Sequence, residues 1–129
     1  MNSECDEPIG ELTLRTLAMP ADTNPSGDLF GGWLLAQMDI AGGILAKQRA
    51  AGRVATLAVD GRMFHKPVFV GEVVCCYAHV ERVGTTSMSI RIQAWAIRAE
   101  RQSERAKVTE GVFTYVAIGV DRRPRPIGN

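Results

Sequence analysis

A chain of 129 residues makes one ordinary domain and leaves no room for two independent cores. Its 46% apolar and 22% charged residues match a globular chain and exclude a disordered one. Fifteen Lys and Arg against fourteen Asp and Glu leave a net charge of +1, so no global field recruits nucleic acid or a membrane surface.

Residues 1–10 are expected to form an N-terminal tail, 11–120 a single domain and 121–129 a C-terminal tail. The first seven residues are polar and acidic, without the basic start and apolar core of a secretory signal. Residues 11–19 read as a short extended segment, because Pro20 pushes Met19 out of the helical region. Residues 22–32 form a loop: Asn24-Pro25-Ser26-Gly27 supplies turn chemistry, and Gly31-Gly32 permits close backbone approach. A helix is predicted over 32–51, with Leu34, Met38, Ala41 and Leu45 at the helical period. Gly52 is its expected stop, and Lys47, Arg49 and Arg53 suit its negative end.

Residues 29–46 carry only two polar side chains, Gln37 and Asp39. The run is short for a membrane span, and an aspartate near its centre would cost about 2.5–3.5 kcal/mol there. It reads instead as a helix buried on nearly all sides of a soluble fold. Gly42 and Gly43 each cost that helix about 1 kcal/mol relative to alanine, which is tolerable where another backbone or a ligand passes close to that turn.

Beyond Gly52 the period is two. Residues 54–59 are strand-like, 62–69 continue extended around Pro67, and 73–83 form a β-rich run after the turn at Val70-Gly71-Glu72. Past a turn at Gly84-Thr85, Ser87, Ser89, Arg91 and Gln93 alternate with Met88, Ile90 and Ile92. Trp95 and Ile97 reverse that phase, predicting a bulge or a change of burial near Ala94. Residues 98–107 read as a solvated hairpin loop, 108–120 as the last strand and 121 onward as a mobile tail. One long apolar helix followed by four or five strands predicts an α+β domain with a sheet wrapped on the helix.

Three cysteines, two of them adjacent (Cys75 and Cys76), suit no disulfide framework, so reduced thiols in the cytoplasm are expected. Only two histidines, His65 and His79, are present, and no metal site is expected. The glycines at 27, 31 and 32 match neither a P-loop nor a dinucleotide fingerprint. The cysteines have no basic neighbour in sequence and fit a packing role better than a nucleophilic one.

Asp39 has no cation three or four positions away on its own helix. It is either a structural aspartate satisfied from a strand or a general base or nucleophile in a dry cleft. Gly31-Gly32 either serves tight helix–sheet packing or exposes helix N-terminal amides to a substrate carbonyl. Asp39 lies eight positions from Gly31, about 12 Å along the helix, so one carbonyl meets both only if the substrate lies along the axis or a second subunit contributes. Asn24 is either turn punctuation or an amide presented from a loop stiffened by Pro25.

The stretches Arg15-Thr16-Leu17-Ala18-Met19-Pro20-Ala21-Asp22-Thr23-Asn24, Gly27-Asp28-Leu29-Phe30-Gly31-Gly32-Trp33, Gln37-Met38-Asp39 and Gly43-Ile44-Leu45-Ala46-Lys47 closely resemble the YciA-type acyl-CoA thioesterases. The likeness extends through Val73-Val74-Cys75-Cys76-Tyr77-Ala78 and Gly84-Thr85-Thr86-Ser87, covering roughly residues 11–118. It implies the hotdog fold, a long central helix wrapped by a curved antiparallel sheet. It implies a dimer with facing helices, commonly a trimer of dimers, and active sites at the dimer interface. The family's catalytic aspartate falls on Asp39, its asparagine on Asn24, and the amide that polarises the thioester carbonyl on Gly31, with Gly32 beside it. The asparagine/glycine loop and the aspartate helix of one site would come from opposite subunits.

The implied reaction is hydrolysis of acyl-CoA to free acid and CoA, with no metal or redox cofactor. Lys66, Arg82 and Arg91 are candidates to meet CoA phosphates, and Gly84, Thr85, Thr86 and Ser87 to contact the pantetheine arm. Pro25, Glu72 and Phe30 are points to watch: Pro25 replaces a more flexible residue, Glu72 a common aspartate, and Phe30 a histidine found in some hotdog relatives. A hotdog hydratase or dehydratase would need a histidine with an acid on the helix, and none precedes His65. A non-catalytic acyl-CoA-binding or sensing domain is the remaining alternative.

Overall fold

The period-two stretches become β1 (Glu11–Leu17), β2 (Val54–Gly61), β3 (Val73–Val83), β4 (Ser87–Ile97) and β5 (Arg105–Ala117), and the apolar run becomes one helix, α1 (Gly31–Ala50). The structure, a computed structural model, describes residues 7–29, 31–61, 66–99 and 104–128. Residues 1–6, Phe30, the 62–65 part of the expected extended stretch and the 100–103 part of the expected hairpin loop lie outside them.

β3, β4 and β5 follow one another as antiparallel neighbours, β1 joins the free edge of β3, and β2 joins that of β5. Consecutive strands β1 and β2 therefore sit at opposite edges of a five-stranded sheet, and the chain between them must cross it. Four strand spacings amount to about 19 Å. A helix of twenty residues spans about 30 Å, so α1 bridges the sheet and packs against every strand. This is the hotdog arrangement that the resemblance implied.

Leu34, Met38, Ala41, Ala46 and Ala50 of α1 are buried against Val74, Cys76 and Ala78 of β3, Met88, Ile90, Ile92 and Ala94 of β4, and Val108, Phe113, Tyr115 and Ala117 of β5. Apart from Val108, these strand residues keep the period of two that puts alternate side chains on one face. The irregularity expected near Ala94 is a register shift between Ala94 and Trp95, with the extra residue, Val108, on β5. Burial changes there too: Gln93 and Trp95 are buried on the outer face, where the indole N–H donates to Gln93 Oε1 at 3.0 Å and Arg105 lies over the ring.

The helix is not buried on nearly all sides within one chain. Leu35, Ile40 (51% exposed) and Ile44 are exposed across the broad outer half of α1, and Leu57 and Val59 of the edge strand β2 are exposed as well. Apolar exposure of this extent satisfies the hydrophobic pattern only when a further surface covers it.

The helix ends one residue earlier than expected. Ala51, not Gly52, takes the left-handed conformation (φ 56°), with its N–H donating to Gln48 O and the Gly52 N–H to Lys47 O. These two bonds make a Schellman motif with Ala51 at the position that favours glycine. Gly52 is needed for another reason, since a Cβ there would stand 2.6 Å from Arg125 Nη2. Ala51→Gly is expected to raise stability by about 1 kcal/mol, seen as a higher denaturant midpoint at unchanged slope; an unchanged or lower midpoint would contradict this.

The segment after β5 is docked rather than a loose tail. Ile118 pairs with Pro124, the Arg125 N–H donates to Ala117 O, and the Ile127 N–H donates to Thr85 O. Arg125 Nη2 also donates to Ala50 O at 2.8 Å, placing a cation on the negative end of α1. Part of the expected 98–107 loop is likewise engaged. Arg98 Nη1 meets the buried Glu72 carboxylate at 2.8 Å and also donates to Pro67 O.

Glu72 Oε1 further accepts the Phe69 N–H at 3.0 Å, so one carboxylate closes the turn before β3 and ties it to the end of β4. Glu72→Ala leaves the mostly buried Arg98 unpaired and is expected to lower stability by about 3 kcal/mol in chemical denaturation. A loss below about 0.5 kcal/mol, the range of ordinary surface substitutions, would show the pair to be idle.

Candidate active site

Asp39 sits in the middle of α1, half-buried, next to the exposed Ile40. Its Oδ1 accepts two hydroxyls: Thr56 Oγ1 at 2.7 Å and Tyr115 Oη at 3.1 Å. Thr56 on β2 and Tyr115 on β5 are cross-strand partners, and the register slips by one immediately after Thr56, leaving Leu57 as the bulged residue. Bulges of this kind aim neighbouring side chains and recur beside active sites. Both donors are neutral. Among the described residues no lysine, arginine or histidine pairs with Asp39, and its Oδ2 accepts no hydrogen bond.

Strands supply the partners of Asp39, as expected of a structural aspartate, and one carboxylate oxygen stays uncommitted. Thr56 and Tyr115 were missed by sequence reasoning. Gly42 was the available signal, three positions along the helix from Asp39. A Cβ on Gly42 would stand 2.4 Å from the Tyr115 hydroxyl and 2.4 Å from Ile92 Cδ1. What passes close to that turn is a tyrosine. Burial, and then the Asp39 charge, push the Tyr115 phenol far above its usual range, so it remains a donor.

Asn24 begins a turn closed by the Gly27 N–H on Asn24 O at 2.9 Å, with Gly27 at φ 90°. Its side-chain Oδ1 accepts the Ser26 N–H at 2.9 Å and the Asp28 N–H at 3.2 Å. Both acceptor directions of the amide are therefore used inside the loop, and the NH2 group is what the loop can present outward. Gly31 and Gly32 open α1, where helix geometry leaves amides without intrahelical partners. A side chain at Gly32 would meet nothing within 4 Å, so packing within one chain does not explain that glycine.

Among the described residues no hydrogen bond joins Asn24, Gly31 or Gly32 to Asp39. Within one chain the Asn24 loop with the helix start and the Asp39 carboxylate two turns further on stand apart.

The turn between β3 and β4 lies at the sheet end next to the Met88–Tyr115 pair. Gly84 N–H donates to Ser87 O, and the Thr85 and Thr86 carbonyls accept Ile127 N–H and Ala117 N–H. Lys66 and Arg82 are exposed. Arg91 is already engaged, with Nε on Glu81 and Nη1 on Glu110 at 2.7 Å. Cys75 and Cys76 are buried free thiols, and burial followed by the neighbouring Cys75 pushes Cys76 up to about 12, which suits packing rather than attack.

Residues 26–100 match the model of the thioesterase superfamily. The acyl-CoA thioester hydrolase YciA of Salmonella typhimurium is 55% identical over 129 residues, covering 98% of this chain and 97% of that protein. The crystal structure of a hexameric thioesterase from Yersinia pestis superposes with a TM-score of 0.91 at 54% identity, over 95% of this chain and 99% of that one. A hexameric broad-specificity acyl-coenzyme A thioesterase superposes with a TM-score of 0.92 at 47% identity, over 98% and 87% of the two chains.

Proposed function

This chain belongs to the thioesterase superfamily and, within it, to the YciA family, and from that premise we propose that it hydrolyses acyl-CoA to a free acid and CoA through Asp39. The observation that carries the reading is the Asp39 carboxylate itself: set in an apolar helix, held by two neutral hydroxyls, with Oδ2 uncommitted. Such an oxygen takes a proton from water attacking the thioester carbonyl, or attacks that carbon directly. The C–S bond then breaks, and the CoA thiolate leaves and gains a proton; in the direct route water then hydrolyses the mixed anhydride on Asp39, releasing the acid and restoring the carboxylate. The amide at Gly31, with Gly32 open beside it, supports the developing oxyanion, and the Asn24 NH2 group orients the carbonyl or the water.

The loop and the carboxylate complement each other if two copies face through α1, covering Leu35, Ile40, Ile44, Leu57 and Val59 and bringing the Asn24 loop of one to Asp39 of the other. Three such dimers would make the hexamer seen in the relatives. The turn at Gly84, Thr85, Thr86 and Ser87 borders the pantetheine path, with Lys66 and Arg82 at the rim for the phosphates. The ion pairs of Arg91 make it the weakest of the three basic candidates. No helix among the described residues is long and apolar enough to cross a membrane. The buried free thiols of β3 favour the cytoplasm as the compartment.

Release of free thiol from a panel of short- to long-chain acyl-CoAs tests the activity. Steady release with at least one member is expected. Saturable binding of acyl-CoAs with no thiol released from any of them would make the chain a binding domain instead.

A further inference from the structure

The mid-helix glycine and the buried tyrosine are linked to Asp39 by geometry that hydrolysis alone does not require. Gly42 weakens the centre of a helix, yet its missing side chain is the space that the Tyr115 hydroxyl occupies. From there Tyr115 Oη reaches Asp39 Oδ1 at 3.1 Å and the Asp39 backbone carbonyl at 2.9 Å. Thr56 delivers its hydroxyl to the same Oδ1 from the neighbouring strand. Two donors converging on one oxygen fix the rotation of the carboxylate and turn the other oxygen outward.

We propose that Tyr115, admitted by Gly42, is a positioning residue that locks the Asp39 carboxylate so that Oδ2 is the reacting oxygen. This rests on the reading of Asp39 as the reacting group. Tyr115 is 1% exposed, and a buried phenol needs an acceptor in any case. A bond to the backbone carbonyl alone would meet that need. The second contact, to the carboxylate, is the one that acts on the chemistry. It holds Oδ1 in place, so its loss frees the carboxylate to rotate. Among the described residues the phenol is the one titratable group touching the carboxylate, from β5, while β2 contributes the non-titrating Thr56.

Tyr115→Phe keeps the ring and removes the hydroxyl. Its kcat for acyl-CoA hydrolysis is expected to fall about 10- to 100-fold with KM within about twofold. Gly42→Ala in an Ile92→Val background, which removes the Cδ1 clash, pushes the hydroxyl away without deleting it and is read against Ile92→Val alone. It should reproduce the fall in kcat at nearly unchanged KM, and adding Tyr115→Phe to it should cost little more. This second series decides the matter if Tyr115→Phe does not fold. Wild-type kcat in a folded variant, beside an inactive Asp39→Ala, would overturn the positioning role alone. Full activity in Asp39→Ala would remove the premise with it.

Discussion

Asp39→Asn is expected to lower kcat by about 10²- to 10⁴-fold while the melting temperature and assembly stay near those of the wild type. The substitution is close to isosteric, and its Oδ1 can still accept the Thr56 and Tyr115 hydroxyls that hold the wild-type side chain. The position therefore stays packed and hydrogen-bonded. What disappears is the charge and basicity at the second oxygen, which the proposed reaction uses. KM should move little, because CoA is gripped elsewhere. A variant that hydrolyses acyl-CoA at the wild-type rate would show that Asp39 is only a satisfied helix residue. A variant that loses activity together with its fold would be uninformative, and Asp39→Ser, which keeps an oxygen at the same helix face, then takes its place.

Asn24→Asp is the second large effect, and its value lies in separating two roles of one side chain. An aspartate keeps an oxygen to accept the Ser26 and Asp28 amides, so the loop should remain as it is. It replaces the outward NH2 donor by an acceptor carrying negative charge. Hydrolysis should fall by about 10²-fold with stability nearly unchanged. Asn24→Ala removes donor and turn together, so it should lose activity and loosen the loop. Equal activity in Asn24→Asp and the wild type would reduce Asn24 to turn punctuation.

Much of this architecture is written locally. The change from helical to two-residue period placed α1 and the strands within a few residues, and the break near Ala94 was visible as a change of phase. A lone carboxylate in an apolar run and an asparagine before a proline stood out because both are costly or restrictive where they occur. The rest depends on contacts that no window of sequence contains. Thr56 lies 17 positions from Asp39 and Tyr115 lies 76 away, and a bulge at Leu57 sets which residue of β2 faces the carboxylate. An alternating strand does not announce its register. The C-terminal segment looked solvated because it is rich in arginine and proline, yet backbone pairing and one buried isoleucine hold it down. Glycine's preference for positive φ points to Gly52 as the helix stop, whereas Ala51 takes that conformation and Gly52 lies against the Arg125 guanidinium.

The proposed site joins each Asp39 carboxylate to the Asn24 loop of a neighbouring chain, and subunit mixing tests that most directly. Asp39→Asn and Asn24→Ala chains, each nearly inactive alone, are unfolded together, refolded and assayed by thiol release. Half of randomly formed dimers would then be mixed, each with one intact site of two, so activity should return to about one quarter of the wild-type level. A mixture no more active than its separate components would contradict the shared site and return Asp39 and Asn24 to a single chain.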